Sequence, residues 1–171
     1  MEFTISNHRK YRYLYKPLLI GLAIDLILLI IGIWYYDLNF EKALKVLLAL
    51  LVGQSILSYI PLLTFYWNYW KENKDSVLEI NPDSGTFVFT GEKKIIEFYR
   101  EDIEKVILHM SIPARHGRTI ILFWHDFFYA KIFTAKGDII VTCLLCDTIT
   151  EYVPEDKVEK TSSHFAHAFP K

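Results

Sequence analysis

One acidic side chain, Asp25, lies inside a long apolar stretch of the sequence and is the only formal charge between residues 17 and 36. A carboxylate at the centre of a membrane helix costs about 2.5–3.5 kcal/mol, so it either handles ions or protons or hydrogen-bonds to a polar neighbour. A second apolar stretch carries polar residues at a matching depth: Gln54, Ser55 and Ser58. We predict an intramembrane polar contact of Asp25 with these residues, and we favour structural packing because no second charge accompanies it.

Basic side chains form a second candidate group. Residues 1–16 hold four Lys or Arg against one Glu, a net charge of +3, and a smaller cluster lies near residue 116. A Lys or Arg close to an anionic leaflet contributes about 1 kcal/mol of attraction. The predicted inner-leaflet contacts are Arg9, Lys10, Arg12, Lys16, Arg115 and Arg118. For Arg115 and Arg118, a solvated loop is the alternative.

The cysteine and histidine spacings are too incomplete to predict a metal site. Cys143 and Cys146 have the spacing of half a zinc or redox site, but the chain has no second cysteine pair. On an extended strand, residues three apart also point to opposite faces. His164 and His167 have helical metal-pair spacing, yet no acidic ligand follows Glu159. We predict no metal ligands and two reduced, apolar thiols.

The sequence shows no pattern of an enzyme active site, and its charge argues against nucleic-acid binding. His109, His116 and His125 are scattered, without a nucleophile and an orienting acid beside them. The seven glycines form no phosphate-binding loop. Residues 71–171 carry a net charge of −3, whereas nucleic-acid binding needs clustered Lys and Arg. We predict no catalytic residue, no cofactor and no nucleic-acid partner.

The elements that position these groups begin with two apolar runs, residues 17–36 and 43–67, joined by a polar link at 37–42. A helix rises about 1.5 Å per residue, so about 20 apolar residues cross a hydrocarbon core of roughly 30 Å. Both runs are apolar on nearly all sides, and rings suited to the headgroup zone close them. Those rings belong to Trp34, Tyr35, Tyr36, Tyr66, Trp67, Tyr69 and Trp70. The pattern predicts a two-helix transmembrane hairpin.

The flanking charges predict that both termini face the cytoplasm. Four basic residues precede the first run and Lys71 and Lys74 follow the second, whereas the link carries only Lys42. The first run is longer than a signal-peptide core and lacks a small-residue cleavage pattern, so we expect it to remain as an integral membrane helix. Residues 1–16 are then a basic cytoplasmic N-terminus.

After Asn73 the pattern changes to short alternating segments separated by turn residues, which is typical of an antiparallel β-domain. We predict this domain over residues 76–162 and a tail over 163–171. The seven predicted strands are residues 77–80, 86–90, 94–98, 103–110, 118–124, 127–133 and 138–145. Pro154 followed by Glu155 and Asp156 is typical of a helix start, so we predict a short C-terminal helix over residues 154–162.

Two blocks of this domain resemble a known family. They are SVLEINPDSGTFVFTGEKKIIEFYREDIEKVIL, from Ser76, and FFYAKIFTAKGDIIVTCLL, from Phe127. With the preceding hairpin, the chain resembles the bacterial membrane-anchored pleckstrin-homology-like proteins of the YcxB-like type. The resemblance implies a seven-stranded, bent sheet closed by a helix, a binding or scaffold role and no catalytic residues. The first hairpin loop, residues 81–85, holds an acid and no Lys or Arg, which argues against phosphoinositide capture.

The sequence therefore predicts a scaffold module in the bacterial cytoplasmic membrane that faces the cytoplasm and contacts membrane lipid. Its partner is a protein of unknown identity or a second copy of the chain. One alternative is a homo-oligomeric assembly in which Asp25 is an ion or proton site. An enzyme of unrecognised type is the other alternative.

Overall fold

The computed structural model describes residues 1–36, 39–92, 94–116, 122–163 and 168. Two long antiparallel helices lead into two four-stranded β-sheets. Helix α1 consists of three consecutive segments, Asn7–Lys10, Tyr11–Tyr15 and Lys16–Tyr36. Helix α2 likewise consists of Phe40–Gln54, Ser55–Tyr59 and Ile60–Asn73. In each helix the middle segment has the wider π-helical turn.

Polar caps and apolar composition explain why these helices form. The Ser6 hydroxyl accepts a hydrogen bond from the Arg9 backbone N–H, and the Asn39 side chain accepts one from the Lys42 N–H. The stretches Asn7–Tyr35 and Glu41–Asn73 are each long and apolar enough to span a membrane, by length and composition. Only 11% of the most apolar window of each is buried by protein. The two predicted apolar helices are therefore present, with most of their apolar surface uncovered.

Eight strands are found in the part of the chain that the structure describes. They are β1 Glu2–Phe3, β2 Val77–Asn81, β3 Thr86–Thr90, β4 Ile95–Tyr99, β5 Ile103–Ser111, β6 Phe128–Thr134, β7 Ile139–Thr142 and β8 Val158–Ser163. The first sheet has the order β1-β2-β3-β4, and the second has the order β7-β6-β5-β8. All neighbours are antiparallel except β5 and β8, which are parallel.

The two sheets bury one apolar core between them. Alternate residues of each strand point inward, as the burial pattern of β2 and β4 shows. Phe87 and Phe98 stack across neighbouring strands with ring centroids 5.0 Å apart. A second buried cluster, centred on Phe65, Tyr69 and Phe127, packs the hairpin against the second sheet. The fold therefore has one core inside the β-domain and another at its junction with the helices.

The predicted strand at 118–124 is wrong where the structure describes it. Residues 117–121 lie outside the described residues, and Phe123–Asp126 forms a 3₁₀ turn. The Ser111 hydroxyl donates to the His125 carbonyl oxygen at 2.8 Å, which fixes the turn at the end of β5. In the described part of the segment, Phe123 and Trp124 contact the hairpin, so their apolar character reflects that packing and not a strand buried in a sheet.

The predicted C-terminal helix over 154–162 is also wrong. Glu155–Lys157 forms a 3₁₀ turn, and β8 then pairs in parallel with β5. The polar backbone of the β5 edge needs a partner, and that requirement outweighs weak helix signals in the sequence. Strand β1, which pairs with β2, was not predicted either. The seven-strand prediction therefore misses two strands and includes one that the described residues do not form.

Candidate functional site

The Asp25 carboxylate is buried between the two helices, with only 4% of the residue exposed. The Tyr59 hydroxyl donates a long hydrogen bond to Asp25 Oδ2 at 3.4 Å. Gly21, one helical turn before Asp25, leaves the space that the Tyr59 ring fills. A Cβ atom at Gly21 would lie 2.6 Å from the Tyr59 hydroxyl oxygen. The hairpin thus closes tightly around the Asp25 carboxylate.

The predicted partners of Asp25 lie in the same part of α2. Ser58 is buried, whereas Gln54 and Ser55 are half-buried. Among the described residues, the side-chain hydrogen bond to Asp25 comes from Tyr59. Tyr59 was not among the predicted partners of Asp25, although it directly follows Ser58. Ser55–Tyr59 is also the π-helical segment of α2, a local widening that is frequent at functional sites.

Two of the predicted inner-leaflet cations contact the β-domain instead of standing free. Arg9 Nη1 donates to the carbonyl oxygens of Thr4 at 2.8 Å and Leu145 at 2.7 Å. Its Nε atom lies 3.4 Å from Asp147 Oδ1, and its side chain is only 13% exposed. Arg12 Nη1 donates to Asp147 Oδ2 at 2.7 Å from a more exposed position. The Asp147 carboxylate therefore joins the start of α1 to the turn that follows β7.

The other predicted cations have different environments. Lys10 is half-buried, and Lys16 is exposed. Arg115, exposed in the short helix α3 (Ile112–Arg115), donates to the Ser162 hydroxyl at 3.3 Å. Arg118 lies outside the described residues. Lipid contact by these side chains stays a prediction.

Asn73, the last residue of α2, binds the outer edge of the second sheet and was not anticipated. Its side-chain amide donates to the Ile140 carbonyl oxygen at 3.0 Å and accepts from the Thr142 N–H at 2.9 Å. The carboxamide thereby imitates the backbone of a neighbouring strand along β7. The residue is 1% exposed, so these bonds are shielded from water. The end of the second helix is fixed directly to the sheet.

Aromatic rings fill the remainder of this junction. Phe65 stacks on Trp124 at 5.6 Å between ring centroids, and Tyr69 meets Phe127 edge-on at 5.3 Å. Tyr13 of α1 contacts the same Phe127 ring. Buried aromatic pairs of this kind each contribute roughly 0.5–1.5 kcal/mol beyond their area burial. The hairpin is therefore packed onto the β-domain through side chains from both helices.

The described residues contain no group of three or more His, Cys, Asp or Glu that could hold a metal ion. Cys143 and Cys146 are free and buried, and burial raises the pKa of the Cys143 thiol to about 12. Burial also lowers the pKa of His125, and Nδ1 of that ring has no hydrogen-bond partner among the described residues. His164 and His167 lie outside the described residues. Because burial raises the pKa of both cysteine thiols, these thiols stay protonated and unreactive.

Two shallow surface grooves meet at the turn between β2 and β3. One lies beside Glu2, Glu79 and Asp83. The other runs between this turn and residues 154–157. Its charged lining residues are Asp83, Arg100, Glu101, Glu155, Asp156 and Lys157. Strand β2 leads away from the end of α2, so this turn lies at the end of the strand opposite the hairpin.

The comparisons with known proteins give one match. The sequence profile of the family described as PH domain matches residues 2–150, a range that includes both long helices. No curated protein and no solved structure shows a significant match to the chain.

Proposed function

The chain belongs to the PH-domain family, and on that premise we propose that it is a membrane-anchored binding module facing the cytoplasm. PH-like domains generally mediate binding to lipids or proteins and are typically non-catalytic. Within this family we propose the YcxB-like type, in the bacterial cytoplasmic membrane. The hairpin of α1 and α2 is the anchor, and the β-domain is the module that binds a protein partner.

The observation that carries this proposal is the uncovered apolar surface of both helices. Large apolar side chains that are mostly exposed to the surroundings include Leu19, Leu26, Ile30, Leu48, Val52, Leu57 and Ile60. Monomeric soluble proteins rarely expose contiguous apolar patches larger than a few hundred Å². In a hydrocarbon environment these apolar side chains avoid the unfavourable free energy of contact with water. The net charge of +3 at residues 1–16 supports placing both termini on the cytoplasmic side.

The chemistry of the domain surface favours a protein over a phosphoinositide. The turn at residues 81–85 carries Asp83 and no cation to pair with a phosphate. Carboxylates also outnumber cations in the groove beside it, where Asp83 is joined by Glu101 and Glu155. We expect the partner to present basic residues to this face. Charge complementarity of this kind steers association and selects the partner.

Photo-crosslinking in native membranes tests the proposal. A crosslinking amino acid at Asp83, which lines both grooves, is compared with one at Glu104 on the exposed side of β5. A protein adduct from position 83 and none from 104 supports the binding module. An adduct of two copies of the chain identifies self-association instead. Recovery of the chain in the soluble fraction after gentle lysis would contradict the membrane anchor.

Burial of Asp25 favours one second candidate, a homo-oligomeric membrane assembly that uses this carboxyl as an ion or proton site. Intramembrane carboxylates often mark such pathways. The hydrogen bond from Tyr59 equally fits a purely structural role.

Two substitutions separate these roles. Asp25→Asn keeps an acceptor for the Tyr59 hydroxyl, whereas Asp25→Leu removes it and should lower hairpin stability by about 1 kcal/mol. We expect neither variant to change ion or proton flux in proteoliposomes. If Asp25→Leu abolished a flux while localisation and crosslinking persisted, the binding-module proposal would fail.

A further inference from the structure

A turn of the β-domain contacts the hairpin at a point along its helices that is distant from the basic N-terminal end of α1. The 3₁₀ turn Phe123–Asp126 lies between β5 and β6. The Trp124 indole N–H donates to the Leu57 carbonyl oxygen at 3.3 Å. The Phe123 ring lies against Gly21 of α1. A Cβ atom built at Gly21 would be 3.0 Å from Cε2 of Phe123. The turn therefore packs into the groove between α1 and α2.

The depth of these contacts follows from helical rise. Gly21 is five residues beyond Lys16, which corresponds to about 7.5 Å along the helix axis. Leu57 precedes Tyr66, at the aromatic end of the second apolar run, by nine residues, or about 13 Å. If the hairpin spans a bilayer, both contact points lie on the hydrocarbon side of the headgroup boundary. The side chains that reach them lie at the same depth.

The composition of the turn agrees with this depth. Leu122, Phe123 and Trp124 are consecutive apolar residues, and Leu122 and Phe123 are only half-buried by protein. The exposed residues Arg115 and His116 precede these residues by a few positions, and the exposed Asp126 follows them. Apolar segments with a basic residue nearby are typical of elements that enter the boundary between headgroups and acyl chains. The hydrogen bond from Ser111 to the backbone of the turn holds the segment in place.

We propose that residues 122–124 form a third membrane-contacting element, which lies among the acyl chains of the leaflet nearest the basic end of α1. This inference rests on the proposed membrane anchor. It adds that the β-domain is not joined to the anchor by a flexible linker, because the face that carries residues 122–124 inserts into the bilayer. The opposite face, with the turn at residues 81–85, then points away from the membrane towards a partner.

Depth measurements with a spin label test the inference. The full chain, carrying Leu122→Cys or Phe123→Cys, is labelled with a nitroxide and placed in phosphatidylethanolamine/phosphatidylglycerol vesicles. Collision with oxygen reports lipid, and collision with a water-soluble nickel chelate reports water. The native thiols are fully buried and stay unlabelled. Leu19→Cys, 56% exposed on α1, is the control for hairpin insertion, and Glu104→Cys is the control for water.

We expect the labels at 122 and 123 to match the label at 19, with oxygen collisions favoured over nickel. If they match the label at 104 while the label at 19 reports lipid, the inference is wrong and the anchor stands. If the label at 19 also reports water, the anchor itself is wrong.

A second measurement leaves the turn unchanged. With Trp34, Trp67 and Trp70 replaced by Phe, the fluorescence of Trp124 should fall in vesicles of brominated phosphatidylcholine compared with unbrominated vesicles. A chain that keeps only Trp34, on the exposed surface of α1, controls for hairpin insertion. Quenching of Trp34 without quenching of Trp124 would overturn the inference alone.

Discussion

At the scale of single residues, buried polar side chains hold backbone groups at the junction of the hairpin and the β-domain. Asn73 binds the edge of β7, and Arg9 binds two carbonyl oxygens beside Asp147. Satisfied bonds of this kind each contribute only about 1 kcal/mol, but leaving one partner buried and unpaired costs about 1–3 kcal/mol. Removing either side chain should therefore destabilise the protein mainly because it leaves backbone groups without a hydrogen-bond partner.

Replacing Asn73 with Ala should lower the free energy of unfolding of the β-domain by about 1–3 kcal/mol, because it leaves the Ile140 carbonyl and the Thr142 N–H buried without this partner. Thermal denaturation of the purified chain in detergent measures the change. Asn68→Ala is the matched control, since among the described residues that half-buried carboxamide binds the backbone of Ala168. Equal melting temperatures for the two variants would contradict a special role for Asn73.

Acidification should destabilise the domain through two half-buried histidines, His109 and His125. Burial lowers the pKa of His125 and His109 in the folded chain, and Lys131 lowers that of His109 further. The unfolded chain then binds more protons below the ordinary histidine pKa of about 6.5. Stability is complete above that pH and falls as the pH drops below it. The fall in melting temperature between pH 7 and pH 5 should be smaller in His125→Gln than in the wild type. It should be unchanged in His8→Gln, because the His8 side chain is exposed.

At the scale of elements, one small residue sets how closely the two helices approach. Gly21 lies against Tyr59 and Phe123, whereas Gly53 has open space around it. Close approach at a small residue is a common basis of helix packing in membranes, where lipid and protein are equally apolar. The tight contact therefore involves Gly21 of α1, whereas Gly53 of α2 faces open space.

Gly21→Ala should loosen the hairpin, because the new methyl group would overlap the Tyr59 ring and displace the hydroxyl that donates to Asp25. Overpacking of this kind typically costs about 1–3 kcal/mol. Gly53→Ala is the control and should be neutral, or stabilising by up to about 1 kcal/mol through helix propensity. Unfolding in mixed detergent micelles compares the two variants. A Gly21→Ala variant as stable as the wild type would show that this contact is not tight.

At the scale of the whole molecule, the hairpin and the β-domain form one connected body. Strand β1 precedes α1 and pairs with β2, which follows α2, so the sheet closes around the base of the hairpin. The aromatic cluster and the hydrogen bonds of Arg9 and Asn73 stabilise the same junction. Under the proposed function, this arrangement would hold the turn at residues 81–85 at a fixed orientation to the membrane.

Arg9 and Arg12 should differ sharply when each is replaced by Ala, although both contact Asp147. Arg9→Ala removes a mostly buried guanidinium from two carbonyl oxygens and should cost about 1–3 kcal/mol. Arg12→Ala breaks a more exposed ion pair and should cost no more than about 1 kcal/mol. Limited proteolysis in membranes reports the effect on the junction. Equal resistance of both variants would argue that Arg9 acts only through its charge.

Local patterns of hydropathy and an isolated charge in the sequence were enough to predict the two apolar helices, six of the strands and the location of Asp25 within the first helix. Tertiary structure alone decided that Val158–Ser163 pairs with β5 and that Tyr59 contacts Asp25. It also decided that Asn73 completes the edge of β7, from 67 to 69 residues away. Such partners are brought together by the packing of distant segments, and a polar residue at the end of a helix carries no local signal of which backbone it will meet.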